Sequence, residues 1–131
     1  MIGNQLEFFK LFGIKLLVDC IRMLERADII DYNGHCSIRT GENRILINTG
    51  ACTRAALTVA DIVVVDMEGK LVEGTVNPPL EFHLHTGIYR ARADVKAVVH
   101  AHPKWSTFLT MVGECYRPVF AQGVLLHPVP V

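Results

Sequence analysis

The chain has 131 residues, of which 50% are hydrophobic and 20% are charged. This length and composition are typical of one globular domain with a substantial core, so we interpret residues 1–131 as a single domain. Thirteen basic and thirteen acidic side chains cancel, and the sequence has no block of lysine and arginine that could follow a phosphate backbone. We therefore do not expect nucleic acid as a partner.

The apolar N-terminal segment does not have the pattern of a signal peptide or of a membrane span. Charged side chains at Glu7, Lys10, Lys15 and Asp19 interrupt it before a signal peptide or a membrane span can form. We accordingly predict a cytoplasmic protein with no membrane partner.

The four cysteines are widely separated in the sequence. Cys20, Cys36, Cys52 and Cys115 form no Cys-x-x-Cys pair, so neither a zinc ribbon nor a dense disulfide framework is indicated. We predict reduced, buried thiols.

The first segment has the spacing of an amphipathic helix. When its residues are placed about 100° apart, charged residues such as Lys15, Asp19 and Arg22 fall opposite an apolar face. That face comprises Leu6, Phe9, Gly13, Leu16, Leu17, Cys20 and Leu24. We expect the helix to pack on the core through this face.

Two β-hairpins are predicted after the helix. The runs "CSIRT" and "RILIN" are separated by "GEN" and read as the first hairpin. The stretch "IVVVDMEGKLVEG" contains an apolar strand, a turn and a return strand, and reads as the second. Thr58 or Asp61 is available to cap a short turn before it.

Helical spacing returns in the C-terminal part of the sequence. A helix is predicted from about Glu81 to Arg92, followed by the strand "VKAVVHAH". The next helix, "PKWSTFLTMVG", begins with proline and ends on glycine, which are the positions that helices favour for these residues. The order of elements is mixed α/β, without an internal repeat.

His100 and His102 lie at the end of this last strand. On an extended strand, residues i and i+2 point to the same face and lie roughly 6 to 7 Å apart, so the two imidazoles can converge on one ion. Imidazole nitrogen binds a cation such as Zn²⁺ at about 2.0 Å, and catalytic sites commonly use three protein ligands and leave a position open. The spacing alone leaves another interpretation open, in which two polar residues at a strand end bind water or backbone.

The stretch "PPLEFHLHTGIYRARADVKAVVHAHP" resembles the class II aldolase/adducin family. The resemblance extends more loosely through "NGHCSIR", "ILINTG" and "DIVVVDMEGKLVEG". It implies an α/β fold of three layers, αβα, around a central mixed, largely antiparallel sheet. The family includes sugar-phosphate aldolases and epimerases, dehydratases, decarboxylases and the non-catalytic adducin head domain, so the resemblance implies the fold more firmly than the reaction.

Carried over by position, His100 and His102 resemble metal ligands and Glu81 resembles the catalytic acid/base. The resemblance implies a divalent metal cofactor, with zinc favoured over manganese or iron, that stabilises the charge of an enolate. For proton transfer, Glu81 would need a pKa raised toward neutrality. A second interpretation keeps Glu81 as a carboxylate favoured at a helix start. His85 would orient Glu81, touch substrate or simply make a buried hydrogen bond, and His83 is predicted at the surface.

The sequence departs from the family where its sugar-phosphate members bind phosphate. A Ser-Ser pair before the glutamate is replaced by Pro79 and Leu80, and an asparagine is replaced by His35. Each lost donor is worth about 1.5 to 3 kcal/mol when its partner is charged, so a phosphosugar is disfavoured. The predicted substrate-binding residues are Gly34, His35, Thr49, Gly50 and His85. His35 as a plain turn residue remains an alternative.

The third histidine ligand that the family carries in an Asn-His-Gly-like context has no counterpart in this sequence, since His127 does not match it. We therefore expect the chain to be the N-terminal portion of a longer enzyme, or to complete its site by other means. The resemblance also implies a homo-oligomer, with a tetramer favoured.

The resulting functional prediction is a metal-dependent carbon–carbon lyase of the decarboxylase or aldolase type. Its substrate is predicted to be a small hydroxy-carbonyl or hydroxy-carboxylate compound. The alternatives are a sugar-phosphate aldolase or 4-epimerase of the fuculose-phosphate type, and a non-catalytic, adducin-like binding module.

Overall fold

The structure is a computed structural model that describes residues 2–119 and 121–126. Its helices and strands agree in kind and order with the predicted elements. In chain order they are α1 (Ile2–Arg26), β1 (His35–Gly41), β2 (Arg44–Asn48), β3 (Ile62–Asp66), β4 (Leu71–Glu73), α2 (Phe82–Ala91), β5 (Ala97–His100) and α3 (Lys104–Met111). Short 3-10 turns span Arg54–Ala56, Val59–Asp61 and Ala121–Leu126.

The five strands form one sheet in the order β4-β3-β2-β1-β5. All four pairings between these described strands are antiparallel. The last strand returns to pair with the first, so that His35 at the start of β1 lies in register with His100 at the end of β5. This pairing brings together residues 65 positions apart in the sequence.

Both predicted hairpins are confirmed. Asp66 closes the turn between β3 and β4 by accepting hydrogen bonds from the backbone N–H groups of Glu68 and Lys70. Gly69 lies in this turn with φ +83°, a conformation that favours glycine. Before β3, the carboxylate of Asp61 accepts hydrogen bonds from the backbone N–H and the hydroxyl of Thr58.

The sheet separates two apolar cores, because successive side chains on a strand point to opposite faces. Leu46 and Val64 pack with Leu17 and Ile21 of α1 on one face. The neighbouring strand residues pack with Tyr89 of α2 on the other face; they are Ile45, Ile47, Val63 and Val65. The predicted three-layer arrangement is therefore present.

The buried face of α1 differs in part from the predicted one. Leu17, Val18 and Ile21 are buried, whereas Leu16 is 51% exposed. Leu16 was expected in the core, but it lies about 100° around the helix from Leu17 and on the solvent side of the apolar stripe. The predicted side chains of Leu6 and Phe9 lie outside the described part of the structure.

The cysteines are free thiols. Cys36 is buried, and its burial raises its pKa to about 12. Cys115 is exposed, so the prediction of a buried thiol is wrong there. Among the described residues, we find no helix long and apolar enough to cross a membrane.

Candidate metal centre and acid–base site

Three elements bring the predicted catalytic and metal-binding residues together. His100 ends β5, His35 begins β1 beside it, and Glu81 immediately precedes α2. The rings of His35 and His100 stack with centroids 4.6 Å apart and planes 19° from parallel. The site therefore depends on the pairing of the first strand with the last.

His100 and His102 converge as the His-x-His spacing predicts. Their Nε2 atoms lie 3.0 Å apart, although β5 itself ends at His100. Two ligands about 2.0 Å from one tetrahedral ion are themselves separated by about 3.3 Å. The observed separation is thus close to what a shared cation requires.

Glu81 and His35 complete a cluster of possible ligands. One donor atom from each of His35, Glu81 and His100 lies within 4.8 Å of the others. Glu81 Oε2 is 3.3 Å from His35 Nε2 and 3.5 Å from His100 Nε2. A set of imidazole nitrogens and a carboxylate oxygen fits a divalent ion such as zinc, and also manganese or iron.

The electrostatic environment of Glu81 differs from the expected one. Its side chain is 50% exposed, and the hydrogen bond from His35 holds its pKa below the usual value. The chain without metal or substrate therefore lacks the raised pKa that proton transfer would need, because the carboxylate is neither buried nor close to another anion. At neutral pH Glu81 is ionised and can accept a proton.

His35 and His85 share a buried environment that favours the neutral imidazole at neutral pH. Both are buried. Burial lowers the pKa of His35 and lowers that of His85 to about 3, because a low-dielectric surrounding disfavours the charged ring. His85 Nε2 lies 2.6 Å from His35 Nδ1, whereas His83 is exposed, as predicted.

An open cavity of about 780 Å³ lies beside this cluster. Its lining includes His35, Gly50, Leu80, Glu81 and His102. Of the predicted substrate-binding residues, His35 and Gly50 thus reach the cavity.

The other predicted substrate-binding residues lie behind the cavity wall. His85 is fully buried, and Thr49 is buried with its hydroxyl donating to Cys52 Sγ. The amide N–H of Gly34 donates to Asp31, and its carbonyl accepts a hydrogen bond from Arg54. In this structure these three residues support the residues that line the cavity.

Sequence reasoning missed Asp31 and Arg54. The Asp31 carboxylate lies 3.2 Å from His102 Nδ1. Its place in "DYNG" marks a turn but gives no sign of a histidine 71 residues away. Arg54 is 2% exposed and donates to the carbonyls of Gly34, Thr49 and Cys52. A buried arginine in a short 3-10 turn has no sequence signal.

Comparisons with known proteins identify the family of the chain. The L-fuculose phosphate aldolase of Methanocaldococcus jannaschii is 32% identical over 95 residues, which cover 72% of this chain and 51% of that protein. The 3,4-dihydroxyphthalate decarboxylase of Arthrobacter keyseri is 36% identical over 94 residues, covering 66% of this chain and 38% of that protein. The chain thus spans about half or less of the length of these relatives.

A solved structure supports the fold. The L-fuculose 1-phosphate aldolase of Glaciozyma antarctica superposes with a TM-score of 0.74 at 24% identity, covering 87% of this chain and 48% of that one. The family model described as the class II aldolase and adducin N-terminal domain matches residues 15–131. The chain therefore belongs to the class II aldolase/adducin family.

Proposed function

We propose that this chain carries the metal-binding and proton-transfer residues of a metal-dependent lyase of the decarboxylase or aldolase type. The observation that supports this most directly is the convergence of His100, His102 and Glu81, with nitrogen atoms 3.0 Å apart and the carboxylate 3.5 Å from His100. The names of the relatives, which include aldolases and decarboxylases, support the same class of reaction.

Each residue has a distinct role in this proposal. His100 and His102 hold the divalent ion, and Glu81, whose Oε2 is 3.5 Å from His100 Nε2, serves as the base beside it. A bound divalent ion supplies a Lewis acid for charge that develops on substrate oxygen. Ionised Glu81, at the edge of the cavity, accepts a proton from the substrate and returns it to the product.

The cavity wall favours a substrate without a phosphate group. Pro79 has no N–H, and Leu80, which is 93% exposed, presents an apolar side chain beside Glu81. Neither can donate a hydrogen bond from its side chain to an anionic oxygen. We therefore propose a small hydroxy-carbonyl or hydroxy-carboxylate substrate.

A sugar-phosphate aldolase is the second candidate. It is favoured by the similarity to the fuculose phosphate aldolase of M. jannaschii over 72% of this chain. In that case, groups other than Pro79 and Leu80 would hold the phosphate. A non-catalytic, adducin-like binding module is the third candidate. Such a module should bind no metal at this site.

The metal site is tested by titrating the metal-free chain with zinc in a calorimeter. We expect one zinc ion per chain, and a large loss of affinity in His100→Ala and in His102→Ala. His83→Ala is the matched control, because His83 is an exposed histidine outside the cluster and should bind zinc like the wild type. Equal zinc affinity in all four proteins would contradict the proposed site.

The substrate class is tested on the full protein with a panel of hydroxy-carboxylates and phosphorylated ketoses. We expect zinc-dependent release of carbon dioxide or an aldehyde from a carboxylate, and poor turnover of the phosphates. Glu81→Gln should lower turnover by about a hundredfold or more while zinc content is unchanged, since it removes the proton carrier and keeps the shape. Efficient cleavage of a phosphoketose alone would favour the second candidate.

We also propose that the protein is a cytoplasmic homo-oligomer, with a tetramer favoured. Large apolar side chains on α3 support association, since Trp105 is 72% and Met111 is 79% exposed. Light scattering of the purified protein measures the assembly.

A further inference from the structure

A chain of buried polar side chains leads from the interior of the protein to Glu81. Tyr89 Oη lies 2.7 Å from Ser37 Oγ, which lies 2.6 Å from His85 Nδ1. His85 Nε2 lies 2.6 Å from His35 Nδ1, and His35 Nε2 lies 3.3 Å from Glu81 Oε2. The four residues behind Glu81 are at most 2% exposed, so water does not interrupt the chain.

The carboxylate of Glu81, at the outer end of this series of hydrogen bonds, fixes the direction in which they donate. An ionised carboxylate only accepts, so His35 must carry its proton on Nε2 in order to donate to Glu81. A neutral His35 then has a bare Nδ1, which accepts from the Nε2–H of His85. His85 in turn has a bare Nδ1, which accepts from the hydroxyl of Ser37.

The inner end fixes the same direction independently. A buried tyrosine hydroxyl needs an acceptor. Among the described residues, Tyr89 Oη is hydrogen-bonded by Ser37 Oγ and by the backbone of Val98. The Val98 N–H can only donate, so Ser37 is the acceptor. Once Ser37 accepts from Tyr89, its own proton is left for His85 Nδ1. Both ends therefore require His35 and His85 to be Nε2–H tautomers.

We propose that Tyr89, Ser37 and His85 are positioning residues that keep the proton of His35 on Nε2, so that His35 donates to Glu81 and does not accept its proton. The catalytic consequence rests on the proposed function. When Glu81 has taken a proton from substrate, it cannot pass that proton to His35, because His35 Nε2 already carries one. The proton is therefore returned to the substrate side of the cavity.

This inference also separates His35 from the metal ligands. A neutral imidazole that binds a metal through Nε2 has to carry its proton on Nδ1. That tautomer would reverse every hydrogen bond back to Tyr89. The direction of these hydrogen bonds thus assigns zinc to His100 and His102 and leaves His35 as a donor to Glu81.

The proposal is tested by long-range ¹H–¹⁵N NMR of the labelled, metal-free chain, which reports which ring nitrogen of each histidine carries the proton. At about pH 8, above the ordinary histidine pKa of about 6.5, we expect His35 and His85 as single Nε2–H tautomers. Exposed His83 is the internal reference for a ring whose tautomer is not fixed by buried partners. A proton on Nδ1 of His35 would overturn the proposal.

Two variants test the positioning role. Glu81→Gln removes the obligatory acceptor at the outer end, so the inner end alone should keep both histidines as Nε2–H tautomers. Adding Ser37→Ala to Glu81→Gln should produce a mixture of tautomers in His85 and His35. If His35 loses its single tautomer in Glu81→Gln alone, Tyr89 and Ser37 do not position it and the proposal is wrong. This outcome is decisive without the double variant, so the test holds even if the double variant does not fold.

Zinc provides the last arm of the experiment. On addition of zinc to the wild-type chain, His35 should keep its proton on Nε2 while the signals of His100 and His102 change. Transfer of the His35 proton to Nδ1 would make His35 a ligand and overturn the proposal. Failure of zinc to bind would count against the proposed metal site alone, because the tautomers are measured without metal.

Discussion

Asp31 makes contacts both in the turn before β1 and with the histidine pair, His100 and His102, through His102. Its Oδ1 accepts hydrogen bonds from the backbone N–H groups of Asn33 and Gly34, both at 3.0 Å. Its Oδ2 lies 3.2 Å from His102 Nδ1. A neutral His102 that donates from Nδ1 to this carboxylate keeps the lone pair of Nε2 directed at His100. Asp31 thus orients a candidate metal ligand from outside the site.

We predict that Asp31→Asn lowers the zinc affinity of the chain by about 10- to 100-fold. The asparagine oxygen can still accept the hydrogen bonds of the turn, so the melting temperature of the metal-free chain should change little. Calorimetric titration with zinc measures the effect.

Asp28→Asn is the control for this prediction. Asp28 lies in the same connection with φ +54°, a conformation that asparagine tolerates. Equal zinc affinities of the Asp31 and Asp28 variants would show that Asp31 does not orient His102.

The connection between α1 and β1 is packed against two other parts of the chain, β5 and the 3-10 turn Arg54–Ala56. A Cβ atom at Gly34 would lie 1.9 Å from Ile30 Cγ1 and 3.2 Å from the carbonyl oxygen of His100. Arg54, in a 3-10 turn, donates from Nε to the carbonyl oxygen of Gly34. Close packing beside the site therefore excludes any side chain larger than hydrogen at position 34. This reason for glycine does not depend on contact with substrate.

We predict that Gly34→Ala destabilises the chain by about 1 to 3 kcal/mol, because the added methyl group must displace Ile30 and the backbone at His100. Urea unfolding measures the change in the free energy of unfolding. Zinc titration of the same variant reports whether the displacement reaches the site.

Gly87→Ala is a control with the opposite expected sign. Gly87 lies inside α2, and a Cβ atom there meets nothing within 4 Å. Alanine should stabilise this helix by about 0.5 to 1 kcal/mol. Destabilisation by both substitutions would argue against steric exclusion as the reason for glycine at position 34.

At the scale of the whole molecule, the sheet is covered on both faces. Leu46 and Ile47 are neighbours on β2, and both are fully buried, one against α1 and the other on the side of α2. A sheet with one solvent-facing side would bury only one of the two. The candidate metal site lies at the end of this covered sheet, where β1 and β5 meet.

We predict that Leu46→Ala and Ile47→Ala each destabilise the chain by about 2 to 5 kcal/mol, since each leaves a cavity in a different core. Urea unfolding of the two variants measures this. Val72→Ala is the control, because Val72 is 39% exposed on the edge strand β4 and should cost well under 1 kcal/mol. A near-neutral result at either position would mean that one face of the sheet is uncovered.

The elements themselves follow from local sequence patterns. The turn residues "GEN" and "DMEG" define the two hairpins, and proline and glycine delimit α3, because these residues restrict or permit particular backbone angles. The convergence of His100 and His102 is also local, since it needs only two residues of separation. The resemblance of "PPLEFHLHTGIYRARADVKAVVHAHP" to the family added the prediction that Glu81 is the catalytic acid/base.

Tertiary contacts determine which distant residues meet at the site. The pairing of β1 with β5 brings His35 beside His100, and the return of α2 over the second core brings His85 against His35 and Ser37. Contacts between residues about 50 or more apart leave no periodic signal in one sequence. The pKa of Glu81 depends on the same contacts, because a pKa follows from the solvent and charges around a group rather than from its neighbours in the chain.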